Sequence, residues 1–229
     1  MRPAGFWRRA AAWSLDAALV ALPVLGVVWN PLRRSIGALG AATDTLLEAT
    51  VLRMADALQT LESPLALAQG WLRDPELLAA AHGVESALSA MLLPPLAAFV
   101  VAWLAWCVGF ERTPWQATPG KRALGLRVVD AAGQPPGITS LLVRFLAGGL
   151  SWLTLNLGHL LAALPPRHAA LHDRISRTRV CLADDAPARM PGWAGAWLWL
   201  LAAATLAANI WLVSAAGGVL RAALQRAPG

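Results

Sequence analysis

The chain has 229 residues, of which 57% are apolar and only 14% are charged. Soluble globular domains carry about 25% charged residues, so a soluble enzyme, a disordered chain and a secreted disulfide scaffold are all poor descriptions of this sequence. The net charge is +6, but no basic run interleaved with aromatic residues indicates a nucleic-acid partner. The composition therefore predicts a small multi-pass membrane protein that has the lipid bilayer as its partner.

Three apolar stretches are long enough to cross a membrane, which takes about 20 residues: 10–29, 87–110 and 193–220. The first follows Arg8 and Arg9 and is interrupted by Asp16, and no small-residue cleavage site comes after it. We therefore expect this stretch to be an uncleaved first transmembrane helix.

A polar insert, 31–86, separates the first two spans and holds seven of the thirteen acidic residues against four arginines. Thr43, Ser63 and Asp74 have the properties of helix N-caps, and Gly83 has those of a helix stop. The sequence predicts a small helical insert outside the bilayer, on the periplasmic side.

One helix of the insert carries an apolar stripe with a spacing of three and four residues. Its members are Leu47, Val51, Met54, Leu58 and Leu61. We expect this stripe to pack on neighbouring helices. The alternative is a seam for a second copy of the chain or for a membrane-protein partner.

Two short segments, 124–130 and 178–183, have the alternation and turn residues of β-strands. They can pair as an antiparallel ribbon only if both lie on the same side of the membrane. An isolated ribbon is marginally stable, so we expect it to pack on helix ends.

The segment 141–164 between these strands is apolar but contains Arg144, Asn156 and Gly158. If it crosses fully, nine basic residues fall on each side of the membrane. If it enters and returns, twelve lie inside and six outside, which obeys the positive-inside rule. The sequence thus favours a re-entrant hairpin and a cytoplasmic N-terminus in a bacterial inner membrane.

These segments define the predicted fold class, an all-α multi-pass membrane protein with three transmembrane helices, one re-entrant helical hairpin, a helical insert and a small cytoplasmic β-ribbon. The predicted parts are 1–30 (N-terminus and first span), 31–86 (insert), 87–183 (second span, ribbon and re-entrant segment) and 184–229 (linker and last span). Cys107 and Cys181 are expected to be plain thiols, since two cysteines make no disulfide framework.

Asp16 is the most informative charge, because a carboxylate within a spanning helix costs roughly 2.5–3.5 kcal/mol on insertion scales. Arg144 is the other charge inside an apolar segment and is its natural partner. One interpretation is a structural Asp16–Arg144 pair; the other is an ion or proton site at Asp16.

Four separated blocks resemble the RDD family of bacterial membrane proteins. The blocks are Gly5-Phe-Trp-Arg-Arg-Ala-Ala-Ala-Trp-Ser-Leu-Asp16, Thr118-Pro-Gly-Lys-Arg-Ala-Leu-Gly-Leu-Arg-Val-Val-Asp130, Arg144-Phe-Leu146 and Leu171-His-Asp-Arg-Ile-Ser-Arg-Thr-Arg-Val180. The resemblance covers about 4–30 and 88–183. It implies that the arginine and two aspartates of the family name are Arg9, Asp16 and Asp173, and it implies a role in transport, with sodium–proton exchange suggested for some members.

Secondary candidates lie near these residues. Asp173 is expected to cap a helix end or pair with arginines, with a gate or proton relay as the alternative, and His172 lies beside it. Lys121 is expected in a Pro-Gly turn facing lipid phosphates, because the surrounding residues lack the spacing of a nucleotide-binding loop. His159 is expected to be a hydrogen-bonded packing residue.

The sequence predicts neither a metal site nor a cofactor, since no close set of ligands occurs. As a catalytic site, Leu171-His172-Asp173-Arg174 lacks a nucleophile with an oriented base, so the protein is not expected to be an enzyme, and an enzyme acting on lipid is only the third hypothesis. The leading hypothesis is a transport-related membrane protein with Asp16 as its intramembrane carboxylate. The alternative is a non-transporting scaffold or accessory subunit whose insert binds a partner.

Overall fold

A computed structural model describes residues 2–154, 156–164 and 168–226, and it contains three long apolar helices and a small two-stranded sheet. The long helices are α1 (Phe6–Gln59), α3 (Pro75–Glu111) and α8 (Gly192–Arg226). Within the described residues, these three are long and apolar enough to cross a membrane. They correspond to the three predicted spans.

Helix α1 is longer than the sequence predicted. Its 54 residues continue through Pro23 and Pro31 without a break, a length of about 81 Å against a hydrocarbon core of about 30 Å. The predicted helix start at Thr43 is therefore wrong. The Thr43 hydroxyl donates to the carbonyls of Leu39 and Gly40, one turn back in the same helix, where no free N–H group needs a cap.

Other helix signals of the insert are confirmed. Ser63 accepts a hydrogen bond from Ala66 N and starts α2 (Pro64–Trp71), and Asp74 accepts from Glu76 N and Leu77 N at the start of α3. The stop at Gly83 is wrong, because α3 continues past it to Glu111. A glycine inside a helix weakens it by about 1 kcal/mol, which the rest of a 37-residue helix outweighs.

The chain divides into two compact units, and the smaller one, Ala18–Ala105, contains the insert. Here Arg53 near the end of α1 binds Glu62 at 2.8 Å and lies 3.8 Å from Asp74. These contacts tie together the turns on either side of α2. The expectation that the apolar stripe packs on neighbouring helices is wrong: its five side chains are 46–88% exposed.

The other unit, Met1–Ala17 with Trp106–Gly229, contains the sheet. Strands β1 (Leu126–Asp130) and β2 (Thr178–Leu182) pair antiparallel, as predicted, with Val128 opposite Val180. Residues 2–4 run along the other edge of β2, since Ala4 N donates to Val180 O and Leu182 N to Arg2 O. The N-terminal residues that lead into α1 are thereby fixed to the sheet.

The core of this unit lies where the start of α1 packs against the sheet. Its buried residues are small on the helix and branched on the strands: Ala4, Ala11, Ala12, Leu124, Leu126, Val128, Val180, Leu182, Ala186 and Ala194. The adjacent Ala11 and Ala12 let the α1 backbone approach the sheet closely. Both cysteines are free thiols, as expected.

A broken helical segment connects the strands. It consists of α4 (Pro119–Ala123) before β1, then α5 (Ile138–Leu153), α6 (Leu157–Leu160) with a 3-10 turn (Leu161–Ala163), and α7 (Leu171–Ile175). The axes of α5 and of the following α6 segment differ by 114°, the geometry of a broken span or a re-entrant loop. The predicted break near Asn156 is confirmed, and Asn156 adopts the left-handed conformation there (φ +65°).

Candidate functional site

Asp16 is buried in the first part of α1. Its carboxylate accepts three hydrogen bonds from donors that lie far along the chain, between residues 106 and 120. Thr118 Oγ1 donates to Oδ2 at 2.5 Å, Gly120 N to Oδ1 at 2.8 Å and Trp106 Nε1 to Oδ1 at 3.0 Å. The side chain is 1% exposed. All three donors are neutral, so Asp16 is a buried carboxylate whose hydrogen bonds come from uncharged groups.

Asp16 also completes the first turn of α4. Thr118 is the residue before this helix, but its side chain makes no capping bond within α4 and points its hydroxyl to Asp16. The Asp16 carboxylate accepts the free N–H of Gly120 in its place, which satisfies one of the donors that a helix start leaves unpaired. One carboxylate thus connects α1 to the start of α4.

Gly120 is required at this contact. A Cβ on Gly120 would lie 2.4 Å from the carbonyl oxygen of Ala12 and 2.9 Å from the carboxyl group of Asp16. The backbone of Ala12 cannot move without displacing α1. The Pro-Gly pair before Lys121 therefore provides a close approach between two backbones.

Asp173 is the centre of a second buried group of charges. Its Oδ2 accepts from Arg9 Nη1 at 2.5 Å and from Ala170 N at 3.0 Å, and its Oδ1 accepts from Arg144 Nη1. The alternative in which Asp173 caps the helix start and pairs with arginines is thus the one that the contacts support. Arg9 belongs to α1 and Arg144 to α5, so this carboxylate joins both helices to α7.

The two arginines determine the ionisation of Asp173. Burial disfavours the charged carboxylate, but Arg144 and Arg9 outweigh burial and hold the pKa of Asp173 well below its usual range. Asp173 is therefore ionised throughout the physiological pH range.

The second group of charges extends to α3 and α4 through Glu111, which sequence reasoning missed. Arg144 Nε lies 3.8 Å from Glu111 Oε2, and Glu111 Oε1 accepts from Lys121 Nζ at 2.5 Å. Burial of Lys121 acts to lower its pKa, but Glu111, together with Cys107 and Asp16, raises the pKa above the ordinary value. Glu111 directly follows a predicted span, and an acid at that position is the signal that could have revealed it.

Two expectations about these charges are wrong. Asp16 and Arg144 do not pair: Asp16 binds Trp106, Thr118 and Gly120, whereas the salt bridges of Arg144 are with Asp173 and Glu111. The reason is that other partners are within reach: the start of α4 supplies neutral donors to Asp16, and Asp173 and Glu111 supply the carboxylates to Arg144.

The expectation that Lys121 faces lipid phosphates is wrong for the same reason. Its side chain is 16% exposed and paired with Glu111. The neighbouring Arg122 lies over the Trp115 ring at 4.0 Å, a cation–π contact. A Pro-Gly-Lys-Arg sequence in a short helix can turn its cations towards the protein, which a turn in solvent would not do.

His159 and His172 form a pair of rings beside Asp173, with centroids 5.1 Å apart. Burial lowers the pKa of His172 well below its ordinary value, and Arg144 adds to this, so the ring is neutral at neutral pH. Within the described residues, the expectation that His159 is hydrogen-bonded through its ring is not met at Nδ1, which is buried without a partner there, as is Nδ1 of His172. The packing role fits the neighbouring Gly158, where a Cβ would lie 2.3 Å from Ser151 Oγ.

Arg8 is a further buried cation that sequence reasoning did not single out. It donates to the carbonyl oxygens of Leu124 and Pro187 at 2.8 Å and 2.7 Å and contacts no carboxylate closely enough for a salt bridge in the described part of the chain. Arg8 therefore fastens the start of α1 to the ends of the sheet. In the same described residues, no group of three or more His, Cys, Asp or Glu side chains could hold a metal ion.

The three long apolar helices of the described residues indicate a membrane protein. The model of the RDD family matches residues 3–177, about three quarters of the chain, so the protein belongs to the RDD family. Comparison with curated proteins and with solved structures gives no match. By the motif positions, two of the three residues in the family name, Arg9 and Asp173, bind each other, while Asp16 lies in a separate set of contacts.

Proposed function

We propose that this RDD protein is a transport-related protein of the bacterial inner membrane, in which Asp16 takes up and releases a proton. The observation that supports the proposal is the contact between Asp16 Oδ2 and Thr118 Oγ1 at 2.5 Å. A hydroxyl can donate to a carboxylate and can equally accept from a carboxylic acid. Asp16 can therefore gain a proton on Oδ2 without losing a hydrogen bond.

The other two donors stay in place through this change. Gly120 N and Trp106 Nε1 both donate to Oδ1, which accepts in the ionised and in the neutral carboxyl group. A metal cation would instead need carboxylate lone pairs that these donors occupy. The site therefore favours a proton over sodium as the species that Asp16 itself binds.

Arg9 and Arg144, which both pair with Asp173, have a structural role in this proposal. Arg9, Arg144 and Asp173 satisfy one another, and the ionised state of Asp173 keeps them fixed. We assign them to holding α1, α5 and α7 together, so that the movable charge is the one at Asp16.

Exchange of Asp16 for asparagine is expected to abolish proton movement while the protein stays folded. The Asn oxygen can still accept from Gly120 N and Trp106 Nε1, and its NH₂ group can donate to Thr118 Oγ1, but the amide cannot be protonated. The measurement is the internal pH of proteoliposomes, reported by a trapped pH-sensitive dye after a sodium or potassium gradient is imposed.

The matched control is Asp184→Asn, which neutralises a carboxylate that is 85% exposed. It should leave proton movement unchanged. Proton movement that persists in Asp16→Asn would overturn the role of Asp16. If the unmodified protein moves no protons at all, transport itself is overturned and the scaffold function remains.

A second candidate function, a scaffold or accessory subunit, is favoured by the exposed stripe of α1. Leu47, Val51 and Leu58 are 56–75% exposed on a helix that continues far beyond the length of a membrane span. Such a stripe fits a second copy of the chain or another membrane protein. This function assigns no ion to Asp16, so the flux measurement separates it from the first.

We further propose that the N-terminus and the sheet lie in the cytoplasm, the insert lies in the periplasm and the α5–α6 segment is re-entrant. Pairing of β1 with β2 supports the hairpin, because a single crossing between the strands would separate them. A cysteine introduced at Asp185 should react with a membrane-impermeant thiol reagent only after the cells are permeabilised. A cysteine at Leu61 should react in intact cells, and the reverse pattern would contradict the topology.

A further inference from the structure

Three arginines lie within six consecutive residues at the turn between α7 and β2. Arg174, Arg177 and Arg179 are all exposed. Among the residues that the structure describes, no carboxylate lies within salt-bridge distance of them, and Arg174 Nε donates to the carbonyl oxygen of Ala169 at 3.2 Å. The charges of this turn are therefore open to a partner outside the chain.

The backbone conformation of Arg177 is one that arginine rarely adopts. Arg177 has φ +53°, in the left-handed region that favours glycine and that costs other residues roughly 1–2 kcal/mol. A turn selected for stability alone would carry glycine or asparagine there. Arginine at this position therefore adds a charge to the turn at a cost in backbone energy.

The position of the turn within the unit indicates the partner. Residues 2–4 hydrogen bond to β2 and lead directly into α1, and α8 begins ten residues after β2 ends. Both helices are candidate membrane spans, so the turn directly precedes a strand that is connected to the starts of two spans. Ile175, 47% exposed between the arginines, adds an apolar side chain of the kind that enters the lipid interface.

From these observations we infer that Arg174, Arg177 and Arg179 form a binding surface for the phosphate groups of anionic phospholipids. Basic clusters beside a membrane span attract anionic headgroups, and arginine binds phosphate through paired N–H groups. The partner is the lipid surface and not free phosphate, because the cluster is open and flanked by an apolar side chain. This surface is independent of Asp16 and does not rest on transport.

The test uses the full-length protein in detergent, with short-chain phosphatidylglycerol or phosphatidylcholine added and the melting temperature recorded. Phosphatidylglycerol should raise the melting temperature and phosphatidylcholine should not. Arg174→Gln/Arg177→Gln/Arg179→Gln should weaken the apparent affinity for phosphatidylglycerol by about tenfold or more. The matched control is Arg33→Gln/Arg34→Gln/Arg73→Gln, which removes the same charge from exposed arginines of the insert and should keep the effect.

Two further variants separate binding from folding. Arg177→Gly should raise the melting temperature without lipid, because it relieves the left-handed strain, and should reduce the shift caused by phosphatidylglycerol. Replacement of all three arginines by lysine should retain part of that shift, because lysine keeps the charge but lacks the paired N–H groups. Equal shifts with both lipids, an unchanged shift in the glutamine variant, an equal loss in the control or an equal shift with inorganic phosphate would each overturn the proposal.

Discussion

Asp173→Asn is expected to destabilise the protein by about 3–5 kcal/mol, which is the effect of removing one partner from a buried ion pair. Asp173 is fully buried and binds Arg9, Arg144 and the backbone of Ala170. Asparagine is neutral and has one acceptor oxygen in place of two, so Arg9 loses its carboxylate partner and Arg144 keeps only the more distant Glu111, at 3.8 Å. The measurement is the melting temperature of the purified protein in detergent.

The matched control is again Asp184→Asn. The partner of Asp184 is Arg127 at 3.0 Å, but the Asp184 side chain is 85% exposed, so loss of this pair should change stability by at most about 1 kcal/mol. In Asp173→Asn, the additional change Arg144→Gln should recover part of the stability, because it removes one of the two buried cations that shared the lost carboxylate. Equal melting temperatures for Asp173→Asn and Asp184→Asn would contradict the central role of Asp173.

Gly120→Ala is expected to lower the free energy of unfolding nearly as much, by about 2–3 kcal/mol, because the added methyl group overpacks the contact. The new methyl group would meet the carbonyl oxygen of Ala12 at 2.4 Å and the carboxyl group of Asp16 at 2.9 Å. Relief of this contact moves α4 away from α1 and breaks the hydrogen bond from Gly120 N to Asp16. Melting temperature and elution as a single species in size-exclusion chromatography report the effect.

Gly148→Ala serves as the control for this change. Gly148 lies inside α5, and a Cβ there meets nothing within 4 Å. Alanine is the better helix former, so this variant should be as stable as the unmodified protein or more stable. A Gly120→Ala variant with the same melting temperature as Gly148→Ala would show that α1 and α4 are not held at the distance described.

The site was partly accessible from the sequence. Asp16, Arg144 and Asp173 stand out because each is a charge in or beside an apolar segment, and the four motif blocks select Arg9. Their pairing was only half predicted. The alternative that joins Asp173 to arginines agrees with the contacts, whereas Asp16 and Arg144 were expected to meet and do not. Two arginines and two carboxylates allow several pairings, and spacing along the chain does not select among them.

What the sequence determined by itself rests on local patterns. The three apolar helices follow from the length of their apolar stretches, and the two strands follow from alternation and turn residues. The caps at Ser63 and Asp74 follow from side chains that bond to backbone two or three residues away. Each of these features is decided within one segment, so one segment is enough to predict it.

The tertiary structure decided the features that depend on distant residues. The partners of Asp16 lie about 90–104 residues away along the chain: Trp106, Thr118 and Gly120. The role of Glu111 depends on the packing that brings it beside Lys121 and Arg144. The low charge content and the net charge of +6 indicated a membrane protein. They gave no information on which charged side chains form pairs. Burial supplies the physical reason, because a charge taken out of water must find a partner, and only the packing of α1, α3, α4, α5 and α7 determines which partner is within reach.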